Sequence, residues 1–285
     1  MSRNILISSL LLASLGATPA MAQSTEVSAE DRIAKRDLRE LKKMLPGVYS
    51  NEEQVYFQSN LKLPEDQHLH KLELQIVKDG SGFIARTISP SGRTTEAQLE
   101  YYVEDGVIRS KEYRNGEVTC EREFTREFES FRGVAINETQ TCGGLAIASP
   151  EGFRFGAPDN PFNMLRGRPF KCWAAPQKAD GTYAFYNDLM LHDQGGRAWI
   201  EATDEHPRVG IKLRNVQWPT GVNRDSFVLY TYQGDDEDYP PAYTWGDPKS
   251  ERIAINTRWL QASCTLGDAT ITPNLNLKTG AGSGD

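Results

Sequence analysis

Two periodicities divide the chain at Gly47. Before it, Ala34, Leu38, Leu41 and Leu45 recur with charged residues between them, the spacing of a single helix face. Ser28 is placed to cap this helix, Asp31 stands at the capping-box position, and Pro46-Gly47 ends it. The pattern therefore predicts an amphipathic helix over about 29–45 that plugs or covers a sheet. After Gly47 the period falls to two. Leu72, Leu74 and Ile76 alternate with Glu73 and Gln75, and Leu99, Tyr101 and Val103 alternate with Glu100, Tyr102 and Glu104. Asp79-Gly80, Ser91-Gly92, Asp105-Gly106, Asn115-Gly116 and Asp180-Gly181 punctuate these runs at hairpin intervals, and Asn-Gly or Asp-Gly readily takes the positive φ of a two-residue turn. Further strands are expected around 182–192, 197–203, 209–217, 225–232 and 252–258.

Many short strands behind one helix predict an all-β, antiparallel fold, either a barrel or a sandwich, and closure into a barrel would leave no exposed sheet edge. No linker splits the chain, although 235–241 reads as a polar loop. A single domain over 23–277 is expected, with a disordered Gly-rich tail at 278–285.

The strand from 117 to 129 alternates most strictly. One face reads Val118, Cys120, Arg122, Phe124, Arg126 and Phe128, the other is mostly Glu and Thr. Two arginines on an apolar face need anionic partners, because an unpaired buried charge is costly. A carboxylate-bearing ligand would supply them through bidentate hydrogen bonds. The alternatives are that they reach the barrel rim or pair with internal Asp or Glu.

Composition narrows the function classes. The first 22 residues have Arg3, an apolar run from Ile5 to Ala13 and an Ala20-Met21-Ala22 small-x-small site, which reads as a signal peptide cut after Ala22. Loss of Arg3 takes the formal net charge from −7 to −8. Such an acidic chain without a Lys/Arg block is poorly suited to nucleic acid, whose affinity comes largely from phosphate neutralisation. No later stretch is apolar enough for a membrane span after cleavage. The location implied is periplasmic or secreted. The four cysteines, Cys120, Cys142, Cys172 and Cys264, lie beyond the leader and suggest two disulfides, with three pairings open.

Little else carries catalytic or metal chemistry. His68-x-His70 lacks a third ligand, so no metal is expected; His192-Asp193 and His206 read as surface or turn residues, and Asp235-Asp236-Glu237-Asp238 as a solvated acidic turn. There is no Gly-x-Ser-x-Gly elbow and no phosphate-cradling Gly-rich loop. The five tryptophans suit a β core or a pocket for a flat ligand.

The segment 41–54, with Gly47, Tyr49, Ser50, Asn51 and Gln54, resembles the opening of the CpcT/CpeT-type phycobiliprotein chromophore lyases, where a short helix leads into a Gly-x-aromatic-Ser-Asn-x-x-Gln strand. Cys142, Phe153, Phe155, Cys172 and the 183–191 strand resemble the rest of that family's pattern, with coverage of about 37–232 and an extra stretch from about 244. The family pattern has Gly before its first cysteine, whereas here Thr141 precedes Cys142 and Gly143 follows; its central Glu-Gln and Pro-Tyr-Arg-x-Arg segment has no clean counterpart, and the leader is inconsistent with loading of phycobiliproteins in the cytoplasm. The resemblance implies a calycin-like, lipocalin-resembling barrel holding a bilin or other tetrapyrrole. It also implies a Cys142–Cys172 bridge, leaving Cys120 with Cys264, and lyase activity toward a protein acceptor. Arg122, Arg126, Phe124, Tyr49, Asn51 and Gln54 are then the candidate ligand-binding residues. Besides binding of a small hydrophobic anionic ligand, a structural or envelope-interaction role without a ligand remains open; no catalytic residue is assigned.

Overall fold

The computed structural model describes residues 28–58, 61–89, 93–136, 142–219, 221–236 and 239–268. The leader, the tail at 278–285, the Ser91-Gly92 turn and Glu237-Asp238 lie outside the described residues.

Helix α1 (Ala29–Met44) forms where the pattern places it, and the Ser28 hydroxyl accepts from the Asp31 amide at 3.0 Å. It is followed by strand β1 (Gly47–Ser50), helix α2 (Glu52–Gln58) and strands β2 (Glu73–Asp79), β3 (Gly82–Ile88), β4 (Thr94–Glu104) and β5 (Val107–Arg114). Strands β6 (Glu117–Glu127), β7 (Ser130–Ala135), β8 (Leu145–Ser149), β9 (Gly152–Gly156) and β10 (Phe162–Gly167) continue the meander, and β10 pairs back onto β1. The result is a closed antiparallel barrel of ten strands. Asp105-Gly106 and Asn115-Gly116 both adopt positive φ at two of its turns, as their sequence requires.

Closure takes in strands only as far as Gly167. The remaining predicted strands exist but do not join the barrel. Strands β11 (Pro169–Pro176), β12 (Tyr186–His192), β17 (Arg252–Asn256) and β18 (Leu260–Leu266) make one four-stranded sheet, in the order β12-β11-β18-β17. Strands β13 (Gln194–Ile200), β14 (Val209–Val216), β15 (Ser226–Gln233) and β16 (Ala242–Gly246) make another, in chain order. The two sheets share a core of Phe170, Leu191, Ile211, Leu213, Phe227, Leu229 and Leu260. The barrel has a separate core in which Leu41 and Leu45 of α1 pack with Tyr49, Ile76, Phe83, Phe131 and Met164. So the stretch from Thr244, read as an extension, supplies strands to both of the later sheets. Barrel and sandwich were alternatives in the sequence; the chain builds one after the other.

Two local readings need correction. The 117–129 strand stops at Glu127, because Phe128 and Glu129 form the turn to β7; Phe128 has φ 56° and lies in solvent. A bulge against Glu112 and Tyr113 turns Val118 outward, leaving Cys120, Arg122, Phe124 and Arg126 on the barrel's inner side. The bridges join Cys120 to Cys142 and Cys172 to Cys264, not the pairs that the family resemblance implied. Cys172 and Cys264 face each other directly across β11 and β18, so register brings them together.

Candidate functional site

Inward positions on the barrel strands are mostly apolar, and α1 closes one mouth. At that end Glu30 packs on the Gly106 turn, Lys42 Nζ donates to the Ser81 carbonyl at 3.4 Å, and Asp37 pairs with Arg126 at 2.9 Å. A cavity of about 300 Å³ lies inside, lined by Leu74, Ala85, Leu99, Phe124, Phe153 and Phe155, with Tyr101, Ser110, Glu112 and Arg122 as its polar wall. Its lining includes Thr87, Thr95, Glu112, Arg114 and Phe155, which stand at the strand ends opposite α1, so among the described residues that mouth is the open one.

Arg122 is the charge that the fold commits to this interior. Its Nη2 donates to the Cys142 carbonyl at 3.0 Å, and the Cys120–Cys142 bridge, two residues along the same strand face, fixes that carbonyl in place. Gly133 makes the room: a Cβ there would stand 2.8 Å from the Phe124 ring and 3.2 Å from Arg122 Cδ. Arg122 Nε is buried with no hydrogen-bond partner among the described residues. Burial pulls the guanidinium's pKa down, while Glu112 and Tyr101 hold it up. Glu112 is already paired with Arg114 at 2.8 Å, and across the lining Arg114, Arg122 and Arg154 outnumber Glu96 and Glu112, so the wall keeps a positive surplus. Burial raises the pKa of Tyr101 strongly, which keeps it a neutral phenol.

The other sequence candidates are placed elsewhere. Arg126 sits at the closed mouth, donating to Asp37 and to the Phe128 carbonyl, with Phe131 under its guanidinium at 5.7 Å. The Tyr49 hydroxyl lies 2.8 and 2.9 Å from the Met44 and Leu45 carbonyls, within reach to donate to one of them, and accepts from Arg166 at 2.6 Å. Arg166 also donates to the Met44 and Pro46 carbonyls, so the C-terminal end of α1 is satisfied by β1 and β10. Asn51 bridges the His70 carbonyl and the Leu72 amide, and Gln54 bridges the Pro161 carbonyl and the Asn163 amide. Tyr49, Asn51 and Gln54 thus tie backbone to backbone outside the cavity lining. Only Arg122 and Phe124 of the six candidates line the cavity.

Tyr101, Ser110 and Glu112 are site residues that alternation alone does not single out; Ser110 and Glu112 interrupting the inward face of β5 are the signal in the sequence that marks them. A buried ionic cluster, unmarked by any local sequence pattern, forms where α2 meets the later sheets. Glu52 pairs with Lys71 at 2.5 Å and, closely, with Lys212, while Glu53 pairs with Arg214 at 2.5 Å. Glu52 faces two cations and its pKa is driven far below the carboxylate range, against the opposing effect of burial. Lys212 has one carboxylate partner and two cationic neighbours, and burial leaves its pKa at about 8. The asymmetry follows from the stoichiometry, and both groups stay charged at neutral pH.

His192 and His206 are buried rather than at the surface. His192 ends β12 with Nε2 3.8 Å from Glu73, packed between Gly167 and Gly196, and burial lowers its pKa. The His206 ring lies 2.7 Å from the Tyr186 hydroxyl and 2.9 Å from the Pro207 carbonyl. His68 and His70 face different neighbours, the Leu63 carbonyl and the Phe162 ring. Among the described residues no group of three or more His, Cys, Asp or Glu could hold a metal, and no helix is long and apolar enough to cross a membrane.

Fold and site together define a closed β-barrel with a one-ended internal cavity, joined to a two-sheet sandwich. Comparison of the chain with protein-family models, with curated proteins and with solved structures gives no match.

Proposed function

We propose that the barrel binds a small hydrophobic ligand carrying an anionic group, with the anion held at Arg122 and the apolar body against Phe124, Phe153 and Phe155. The observation that carries this reading is a half-buried guanidinium, held in place by the Cys142 carbonyl, in the wall of an open, aromatic-lined cavity. A volume of about 300 Å³ is at the lower end of the range for small-molecule sites, roughly 300–1,000 Å³. A medium-chain carboxylate fits that size; a tetrapyrrole, the ligand suggested by the likeness to CpcT/CpeT-type lyases, would extend through the open mouth. The two disulfides fit an oxidising compartment, and with the leader they support a periplasmic or secreted location.

The test is titration of the mature chain with decanoate, biliverdin and haem, followed by tryptophan fluorescence and, for the pigments, by absorbance. One-to-one saturation by at least one of them is expected, and Arg122→Gln should weaken it by about 10–100-fold, the equivalent of a lost charge-assisted hydrogen bond of about 1.5–3 kcal/mol. No saturable binding of any of the three would sink the proposal. The placement of Tyr49, Asn51, Gln54 and Arg126 favours a structural role for those four, and their conservative substitution should leave affinity within about twofold of wild type if the fold is kept.

A further inference from the structure

The outer face of the β13–β16 sheet carries a second site. Strand alternation sends Lys212, Arg214 and Val216 of β14, Val228, Tyr230 and Tyr232 of β15, and Tyr243 and Trp245 of β16 to the side away from the sandwich core. Helix α2 covers part of this face, with Phe57 packed on Val216 and Val228 and Tyr56 stacked on the Arg214 guanidinium at 3.8 Å. Beyond α2 no described element covers the face. A groove of about 440 Å³ runs between Tyr56, Trp218 and the edge-strand rings Tyr243 and Trp245, with Asn223, Arg224 and Ser226 along one side. Trp245 is 70% exposed and Tyr243 61%, on the outermost strand of the sheet. Large rings gathered in the open on a rigid strand mark an interaction site rather than a core.

Charge identifies the occupant. The chain is acidic overall, at −7, yet among the described residues no carboxylate lines the groove, and of its two arginines Arg214 is buried and paired while Arg224 is exposed. Glu53 is turned to Arg214, and Asp225 accepts from the Trp218 amide at 3.1 Å. Arg224 is exposed and makes no ion pair among the described residues, so its fork is available to a planar anion. The groove is open along its length, which suits a chain lying across it rather than one enclosed ring. We infer that this groove binds an acidic oligosaccharide, whose pyranose C–H faces pack on Tyr243 and Trp245, whose hydroxyls bond Asn223 and Ser226, and whose carboxylate meets Arg224. Flat apolar faces edged by hydroxyl groups match rings that are apolar on the face and flanked by polar side chains.

This site is independent of the barrel cavity, and its test keeps the two apart. Calorimetry on the mature chain with hexagalacturonate and with cellohexaose should give at least tenfold tighter binding of the acidic sugar. Trp245→Ala, at an exposed position that leaves folding intact by circular dichroism, should weaken both sugars at least tenfold. Arg224→Gln should erase the preference while sparing cellohexaose. Arg122→Gln should change neither. Absence of binding to both sugars, equal affinity for the two, indifference to Trp245→Ala, or tighter binding of a proline-rich peptide to the groove would each overturn the inference.

Discussion

Arg122 and Arg126 lie four residues apart on one face of one strand, and the fold gives them opposite surroundings. Periodicity shows which face a side chain is on; it is silent on depth along the barrel axis. Arg126 reaches the mouth that α1 closes, where Asp37 meets it at 2.9 Å and its side chain is 35% exposed. Arg122 stays inside, positioned by a carbonyl that arrives through a disulfide. Arg126→Gln should therefore cost about 1 kcal/mol or less in denaturant unfolding, as partly exposed pairs do, and leave ligand affinity within twofold. A loss of affinity as large as that of Arg122→Gln would mean that the two act together in the cavity. The histidines teach the same lesson. Nothing local to His192 signals burial; Gly167, distant in sequence, and Gly196 pack around its ring.

Elements with local causes were readable in advance. The Ser28 cap and the Leu41–Leu45 face specify α1, and the Asp-Gly and Asn-Gly turns mark strand ends. Helix α2 was not readable. Its seven residues carry no clear period, and its acids find their partners about 160 positions later, on the alternate residues of β14. Glu53 and Arg214 form a buried pair, so removing one partner strands the other in a low-dielectric setting. Glu53→Ala should destabilise by about 3–5 kcal/mol in equilibrium unfolding, and adding Arg214→Met should restore most of that loss. Equal destabilisation by the single and double variants would show that the pair's charge is not what fixes α2 to the sheet.

At the scale of the molecule, alternation and turn spacing made the all-β class legible, and the closed barrel with its N-terminal helix follows that reading. The division of strands between a barrel and two further sheets was not legible, because Phe162–Gly167 and Pro169–Pro176 run on almost without a break, and Arg168 between them is held by Asp193 at 2.6 Å. The junction itself should be acid-sensitive. His192 is buried with a pKa below the usual 6.5, so as pH falls below 6.5 the unfolded chain takes up a proton that the folded chain resists, and stability declines. Glu53, whose pKa burial raises, acts in the opposite sense, so the His192 contribution is read by difference. Between pH 6.5 and 5, wild type should lose up to about 1.4 kcal/mol per pH unit more than His192→Asn, the slope of one proton; identical slopes would refute the assignment. The central claim is that Arg122 makes the cavity selective for an anion. Calorimetric titration with decanoate and with decanol, equal in chain length and differing in charge, tests it most directly. Wild type should prefer decanoate at least tenfold and Arg122→Gln should bind both alike, whereas a preference for decanol, or a preference for decanoate that survives in the variant, would contradict it.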